Sequence, residues 1–140
     1  MDYKQCPPVD FILLSHFHGD HFDQLVVEKL RKDIPIVTTP HAKENLAELG
    51  FLNVRALQTW QGVQIKKGEE SITITAMPAK HTVGPFDKIN ELMGAIPPVM
   101  GSMIEFPQKD GRKFSICISG DTLWYDDLKV SSLRLPFAFG

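Results

Sequence analysis

The segment His16-Phe17-His18-Gly19-Asp20-His21 constrains the fold more than any other part of the sequence. It holds three of the chain's five histidines and follows the apolar run 10–14, DFILL, with only Ser15 between them. A short apolar run that stops abruptly at polar residues is typical of a buried strand that leads into a loop. Gly19 lets the backbone turn tightly because it carries no Cβ. The sequence therefore predicts a strand followed by a tight loop rich in imidazoles.

These side chains are suited to holding a metal ion. Imidazole and carboxylate groups are ligands for zinc, iron or manganese. His16 and His18 are two positions apart in an extended segment, so both rings can point to the same side. Asp20 and His21 follow the glycine, so one loop can supply two adjacent metal positions. The alternative is a loop of surface histidines without a ligand role. This alternative explains poorly why three histidines lie within six positions.

Two later segments end in a residue of the same kind. The run ITITAMPAKH ends at His81, and the run KFSICISGD ends at Asp121 directly after Gly120. Taken alone, a histidine at a strand end is usually a polar loop residue, and a Gly-Asp pair is usually a turn. Because the first cluster supplies too few ligands for two metals, His81 and Asp121 become candidates to complete the set.

The remaining pattern predicts a mixture of strands and helices with a β-rich second half. Helical spacing covers 22–32, and a second helix has Thr39 as its N-cap, Pro40 as its first residue and Gly50 past its end. Asp110-Gly111 indicates a hairpin between two paired antiparallel strands. The predicted strands are 10–14, 34–39, 53–57, 63–67, 71–81, 99–106 and 112–119.

Composition narrows the class of protein. The chain has 140 residues, which suits one domain, and 43% hydrophobic residues, which is enough for a core. A net charge of −2 gives no basic surface, so we do not expect nucleic acid as a partner. No apolar run is long enough for a membrane span. Cys6 and Cys117 are too few for a disulfide framework, so we expect a cytoplasmic protein and a buried Cys117 thiol.

The order of these motifs resembles the metallo-β-lactamase superfamily. The resemblance rests on His-x-His-x-Asp-His after a strand, then His81, then Asp121 after a later strand, and it covers about residues 10–128. The segments SHFHGDHFD, KHT, SMIEF and ISGDT further resemble the branch that contains ascorbate-6-phosphate lactonase and N-acylphosphatidylethanolamine phospholipase D. The resemblance implies an α/β (α+β) fold, an αββα sandwich with the site at one edge between two sheets.

The resemblance also implies roles for six residues. One metal ion would be held by three histidines, the second by an aspartate and a histidine, and one aspartate would bridge both. The cofactor would be zinc, as one or two ions, or else manganese or iron. The expected reaction is hydrolysis of a small-molecule ester, a lactone or a phosphodiester by a metal-bound hydroxide that Asp20 could orient. In the order of their roles, the residues are His16, His18, His81, Asp20, His21 and Asp121.

Two features depart from the family pattern. The family supplies a further histidine to the second metal, but no histidine follows Asp121, and only about ten residues precede the first ligand-bearing strand. We therefore expect 1–140 to form a single, incomplete αββα domain that holds one metal more readily than two. The alternative is a non-catalytic remnant that keeps the motif and lacks the final ligand.

Overall fold

The computed structural model describes residues 8–82, 84, 85, 90, 93, 96–126 and 128. Cys6, most of the irregular stretch 83–98 and the final residues from 129 onward lie outside this part of the chain. The described elements, in chain order, are β1 (Ile12–Leu13), α1 (Gln24–Lys29), β2 (Ile36–Thr38), α2 (Pro40–Glu48), β3 (Val54–Ala56), β4 (Gly62–Lys67), β5 (Glu70–Met77), β6 (Gly101–Pro107) and β7 (Lys113–Ile118).

The strands form two sheets of different kinds. Strands β1, β2 and β3 make a parallel sheet in that order, and β4 to β7 make an antiparallel sheet in sequence order. The helices α1 and α2 lie in the two crossovers of the parallel sheet, as parallel strands require. The predicted mixed α/β fold is thus confirmed, with parallel and antiparallel strands in one molecule.

Alternation along β2 creates two separate cores. Ile36 is buried in one cluster with Ala42 and Leu46 of α2, while the adjacent Val37 is buried in a second cluster with Ile74 and other residues of the antiparallel sheet. Successive side chains of a strand point to opposite faces, so β2 packs against the helix layer on one side and against the second sheet on the other. The described layers are therefore helix, parallel sheet and antiparallel sheet.

The second helix has the predicted limits. The Thr39 side chain accepts a hydrogen bond from the backbone N–H of Ala42, and Pro40 occupies the first turn. Gly50 follows the helix with a positive φ of 81°. The first helix is shorter than the predicted 22–32, because Phe22 lies in a turn closed on the His18 carbonyl and Leu30 is already extended.

The hairpin between β6 and β7 has its turn at Asp110-Gly111, as predicted. Gly111 has φ +82°, and the Gln108 N–H donates to the Arg112 carbonyl across the turn at 2.7 Å. The prediction of a buried Cys117 is wrong, because its side chain is exposed. Cys117 pairs with Met103, which places it on the opposite face of the strand from Ile116 and Ile118, and β7 is the last strand of its sheet among the described residues.

None of the helices among the described residues is long and apolar enough to cross a membrane.

Candidate metal centre

Three strands end at the same edge of the molecule. Because β5 and β7 both run antiparallel to β6, they are parallel to each other, and their carboxyl ends lie at one edge of the sheet. The loop after β1 joins this edge through a hydrogen bond of 2.9 Å from the Met100 N–H to the Ser15 carbonyl. The loops that carry His16, His81 and Asp121 are therefore brought together by the sheet topology.

The side chains at this edge form two overlapping groups. His16, His18 and His81 make the histidine cluster, and His16, His21 and Asp121 make the mixed cluster. Within each group, the candidate ligand atoms all lie within 4.8 Å of one another. His16 belongs to both clusters, so a metal ion bound in either one would contact it.

Asp121 lies close to three of the histidines. Its Oδ2 is 3.2 Å from Nε2 of His21, 3.7 Å from Nε2 of His81 and 3.9 Å from Nε2 of His16. In a tetrahedral zinc site, bonds of about 2.0–2.1 Å place ligand atoms about 3.3 Å apart. The observed separations need only small side-chain adjustments to reach that value.

His16 shows most clearly that these residues suit a metal ion. Its side chain is 0% exposed, and within the described part of the chain its Nε2 atom has no hydrogen-bond partner. A buried polar atom without a partner is costly, and a metal ion bound to the Nε2 lone pair would remove that cost. The donor set around Nε2, three further histidines and a carboxylate, is the kind that zinc takes. The residues present therefore fit a metal ion.

Hydrogen bonds at the other ring nitrogens support this orientation. Nδ1 of His81 lies 3.2 Å from the Pro97 carbonyl, which only accepts, so Nδ1 carries the proton and Nε2 is left free. Nδ1 of His16 lies 2.9 Å from Oγ of Ser15, a hydroxyl that can accept a hydrogen bond from the protonated Nδ1 of the same tautomer. In metal sites such partners fix the tautomer and the orientation of the ring.

The electrostatics of the cluster keep His16 neutral. Burial, followed by the neighbouring His21 and His81, lowers the pKa of His16 from 6.5 to about 4, and Asp121 offsets only part of this. A neutral imidazole is the form that binds a metal. For Asp121, partial desolvation raises the pKa, but the hydrogen bond from His21 and the other histidines outweigh it and hold the pKa below 3.8. The aspartate is therefore an anion at neutral pH.

Asp20 lies at the rim of the site. Its Oδ2 is 3.8 Å from Nε2 of His21, and its side chain is 75% exposed. It belongs to neither cluster of the described residues. Of the six residues that the sequence nominates, the structure thus brings five into the clusters and places Asp20 beside them, while the role of each as a ligand stays a prediction.

Three supporting residues were not predicted from the sequence. Ser15 and Pro97 hold the rings of His16 and His81, and Gly120 packs the loop after β7 against the loop after β1. The position of Ser15 directly before His16 is a signal that could have suggested its role. No sequence signal marks Pro97, because it lies sixteen residues after the ring that it holds.

The sequence of the chain is similar to those of known proteins. Residues 2–131 match the family described as Beta-lactamase superfamily domain. The chain is 38% identical over 82 residues to the mitochondrial N-acyl-phosphatidylethanolamine-hydrolyzing phospholipase D of Saccharomyces cerevisiae, covering 57% of this chain and 18% of that protein. It is 29% identical over 126 residues to the UPF0173 protein YddR of Bacillus subtilis, covering 86% of this chain and 42% of that protein.

Two solved structures have the same fold. A possible metal-dependent hydrolase from Veillonella parvula superposes with a TM-score of 0.72 at 23% identity, and an isothiocyanate hydrolase from Delia radicum gut bacteria with 0.73 at 24%. Each comparison covers 90% of this chain and 45% of the other. The chain thus spans less than half the length of these relatives. From the family match and the shared fold, the chain belongs to the metallo-β-lactamase superfamily.

Proposed function

We propose that this chain is a metal-dependent hydrolase domain that cleaves an ester, a lactone or a phosphodiester. The observation that carries the proposal is the buried Nε2 atom of His16, which has no hydrogen-bond partner in the described chain and faces a carboxylate and further histidines. Burying a polar atom without a partner costs free energy, and a metal ion bound to this atom would offset that cost.

The ligands divide between two positions. His16, His18 and His81 would hold the first ion together with Asp121, which gives a complete set for one zinc. Asp20 and His21 would hold a second ion, with Asp121 between the two. The second position has fewer described ligands, and its histidine is the more exposed, with 33% of its side chain accessible against 15% for His81. We therefore expect the first position to bind more tightly.

A bound metal ion would supply Lewis acidity, which lowers the pKa of water and polarises a substrate oxygen. The residues of the chain do the remaining work. The Asp121 side chain is 47% exposed and Asp20 is 75% exposed, so the clusters open to solvent on the side of these carboxylates. A substrate would approach from that side. The Asp20 carboxylate is the exposed base next to His21 and could take a proton from the attacking water.

The names of the relatives support hydrolysis as the reaction class. One relative hydrolyses N-acyl-phosphatidylethanolamine, and one structural neighbour is an isothiocyanate hydrolase. These substrates differ in the bond that is cleaved, so they favour the class of reaction and leave the substrate open. A phosphodiester or ester is the substrate class that we propose to test first.

The test combines metal content with hydrolysis. Purified protein is loaded with zinc, dialysed against dilute chelator and analysed for metal per chain, then assayed with bis-p-nitrophenyl phosphate and p-nitrophenyl acetate. We expect about one zinc per chain in the wild type and almost none in His18→Ala, since three nitrogen ligands are the minimum for a retained zinc. His41→Ala is the matched control, because His41 lies in α2 and belongs to neither cluster.

A third variant separates the two metal positions. His21→Ala should retain nearly the wild-type amount of metal, since His21 would serve the weaker position. Two zinc ions retained by the wild type would contradict this ranking. Wild-type protein that holds zinc but hydrolyses neither substrate would favour the non-catalytic alternative, and wild-type protein that holds no zinc would refute the proposed site.

A further inference from the structure

The loops that carry His81 and Asp121 follow strands that are not neighbours in the sheet. The order β4-β5-β6-β7 places β6 between β5 and β7, so no ladder hydrogen bond joins the strands that precede these two residues. Asp121 nevertheless lies with its Oδ2 3.7 Å from Nε2 of His81. At least one contact outside the ladders therefore helps to hold the two loops at this distance.

The side chain of Thr122 makes that contact. Its Oγ1 accepts a hydrogen bond of 2.9 Å from the backbone N–H of Lys80. The same hydroxyl can donate to the Leu123 carbonyl at 3.1 Å or to the Lys80 carbonyl at 3.4 Å. One backbone bond accompanies it, from the Leu123 N–H to the Lys80 carbonyl at 2.8 Å. Lys80 and Thr122 directly adjoin His81 and Asp121, so the bridge lies one residue from each proposed ligand.

We propose that Thr122 is a positioning residue that fixes the separation of His81 and Asp121 for metal binding. This inference rests on the metal site proposed above. The hydroxyl acts on the two ligands through the backbone, since it bonds to Lys80 and not to either ligand side chain. Removal of a group that hydrogen-bonds directly to a metal ligand typically changes metal affinity by about 10–100-fold, and a bridge that acts through the backbone should act at the lower end of that range.

The replacement Thr122→Val tests the hydroxyl alone. Valine has nearly the shape of threonine but neither accepts nor donates a hydrogen bond, so the acceptor for the Lys80 N–H is lost while the backbone bond from Leu123 can remain. We expect the zinc dissociation constant, measured by competition with a chromophoric chelator, to rise by about tenfold or more. Thr122→Ser keeps the hydroxyl and should bind within about threefold of the wild type.

The matched control is Thr73→Val. Thr73 lies in β5 and pairs with Glu105, away from the edge that holds the clusters. It undergoes the same chemical change, and its zinc affinity should equal that of the wild type. A second readout is the visible spectrum of bound Co²⁺, which reports ligand geometry and should change in Thr122→Val and not in Thr73→Val.

The outcomes separate this inference from the proposed function. Wild-type protein that binds no zinc refutes the metal site itself. Wild-type protein that binds zinc, with Thr122→Val binding within twofold and showing the same Co²⁺ spectrum, overturns the positioning role. Lower stability of Thr122→Val in urea with unchanged zinc affinity also overturns it, because the role is then only structural. If Thr122→Val does not fold, Thr122→Ala takes its place in the same comparison.

Discussion

His16 is the residue on which both clusters depend, and its environment opposes a positive charge. The ring is fully buried, and it shares its surroundings with His18, His21 and His81, whose rings have centroids 4.3–5.2 Å away. A protonated His16 would lose its hydration and would be repelled by any charged neighbour among them. The protein therefore holds His16 in the form that a metal ion needs, before any metal is bound.

This environment predicts how the stability of the metal-free protein depends on pH. The pKa of His16 is about 4 in the folded protein and 6.5 for an unshifted histidine. Between these values the unfolded chain binds more protons at this position than the folded chain does. The free energy of unfolding therefore rises with pH across this window, and stability is lost as the pH falls through it. The measurement is the urea midpoint of the metal-free protein from pH 7 to pH 4.

His16→Asn is the comparison for this measurement. Asparagine does not titrate, so the variant should lose less stability than the wild type between pH 6.5 and pH 4. The lowered pKa of Asp121 affects stability mainly at the acid end of this window and below it, where the unfolded carboxyl becomes protonated. Identical slopes for wild type and variant would show that His16 is not the titrating group.

At the residue scale, the sequence predicted which side chains gather and not which contacts hold them. Three histidines within six positions gave the first loop, and strand ends gave His81 and Asp121. The contacts of Ser15, Pro97 and Thr122 depend on which loops meet in space. Those partners are 1, 16 and 42 positions from the residues that they bond, so only the nearest has a local signal.

At the scale of elements, the loop after β7 sets the position of Asp121 through Gly120. This glycine has φ +65°, and a Cβ added to it would lie 3.0 Å from the Met100 carbonyl oxygen and 3.3 Å from Cβ of Ser15. The loop that carries Asp121 can therefore approach the start of β6 and the residue before His16 only because position 120 has no side chain.

Gly120→Ala should disturb both stability and metal binding. The left-handed backbone alone costs about 1–2 kcal/mol for a residue with a Cβ. The contact of 3.0 Å with the Met100 carbonyl adds to this and would push the loop away, since backbone atoms cannot yield easily. We expect a loss in the free energy of unfolding beyond the backbone cost and a weaker zinc affinity, measured by urea denaturation and chelator competition.

Gly111→Ala provides the matched control. Gly111 lies at the other end of β7, in the hairpin turn, with φ +82° and no atom within 4 Å of an added Cβ. It should show the backbone cost of about 1–2 kcal/mol and no change in zinc affinity. Equal losses of zinc affinity in both variants would contradict a specific role for Gly120, because strain at either end of β7 would then weaken zinc binding.

The sequence predicted best the elements that have capping or turn residues at both ends. The helix α2 has a threonine cap, a proline in its first turn and a glycine after its end, and its predicted limits were confirmed. The helix predicted for α1 was too long, because the apolar spacing includes Phe22 and Leu30. Both side chains pack against the core, but Phe22 lies in a turn and Leu30 has an extended backbone. Periodicity shows which residues face the core but not where a helix ends.

At the scale of the whole molecule, the antiparallel sheet is wider than the parallel sheet that covers it. Among the described residues, four strands face three, and the inward face of β7 is left exposed. Ile116 pairs with Ile104, which pairs with the fully buried Ile74, so these residues share the face that packs on the parallel sheet. Ile116 and Ile118 are nevertheless 39% and 45% exposed, and Phe114 on the same face is 57% exposed.

The composition of β7 explains why Cys117 was mispredicted. The run FSICI has the composition of a buried strand, and sequence alone indicates burial for every residue in it. Burial depends on which other elements lie over the strand, and a cavity of about 510 Å³ separates β1 and α1 from Ile118. The composition of β7 is that of a core strand, while its surroundings among the described residues are those of a surface strand.

An apolar strand at the edge of a sheet predicts self-association of the isolated 140-residue chain. Residues 114–118 carry no charge, and β7 has no strand beyond it in the described sheet, so a second copy could pair with it without placing like charges opposite each other. We expect the sedimentation coefficient of the wild type to rise with protein concentration.

The double variant Ile116→Thr, Ile118→Thr keeps β-branched side chains that suit a strand but removes most of the apolar surface, and it should sediment as a monomer. Cys117→Ser, on the opposite face of the same strand, is the matched control and should associate like the wild type. A wild-type chain that stays monomeric across the concentration range would contradict the prediction, because the exposed face would then be too small to drive association by itself.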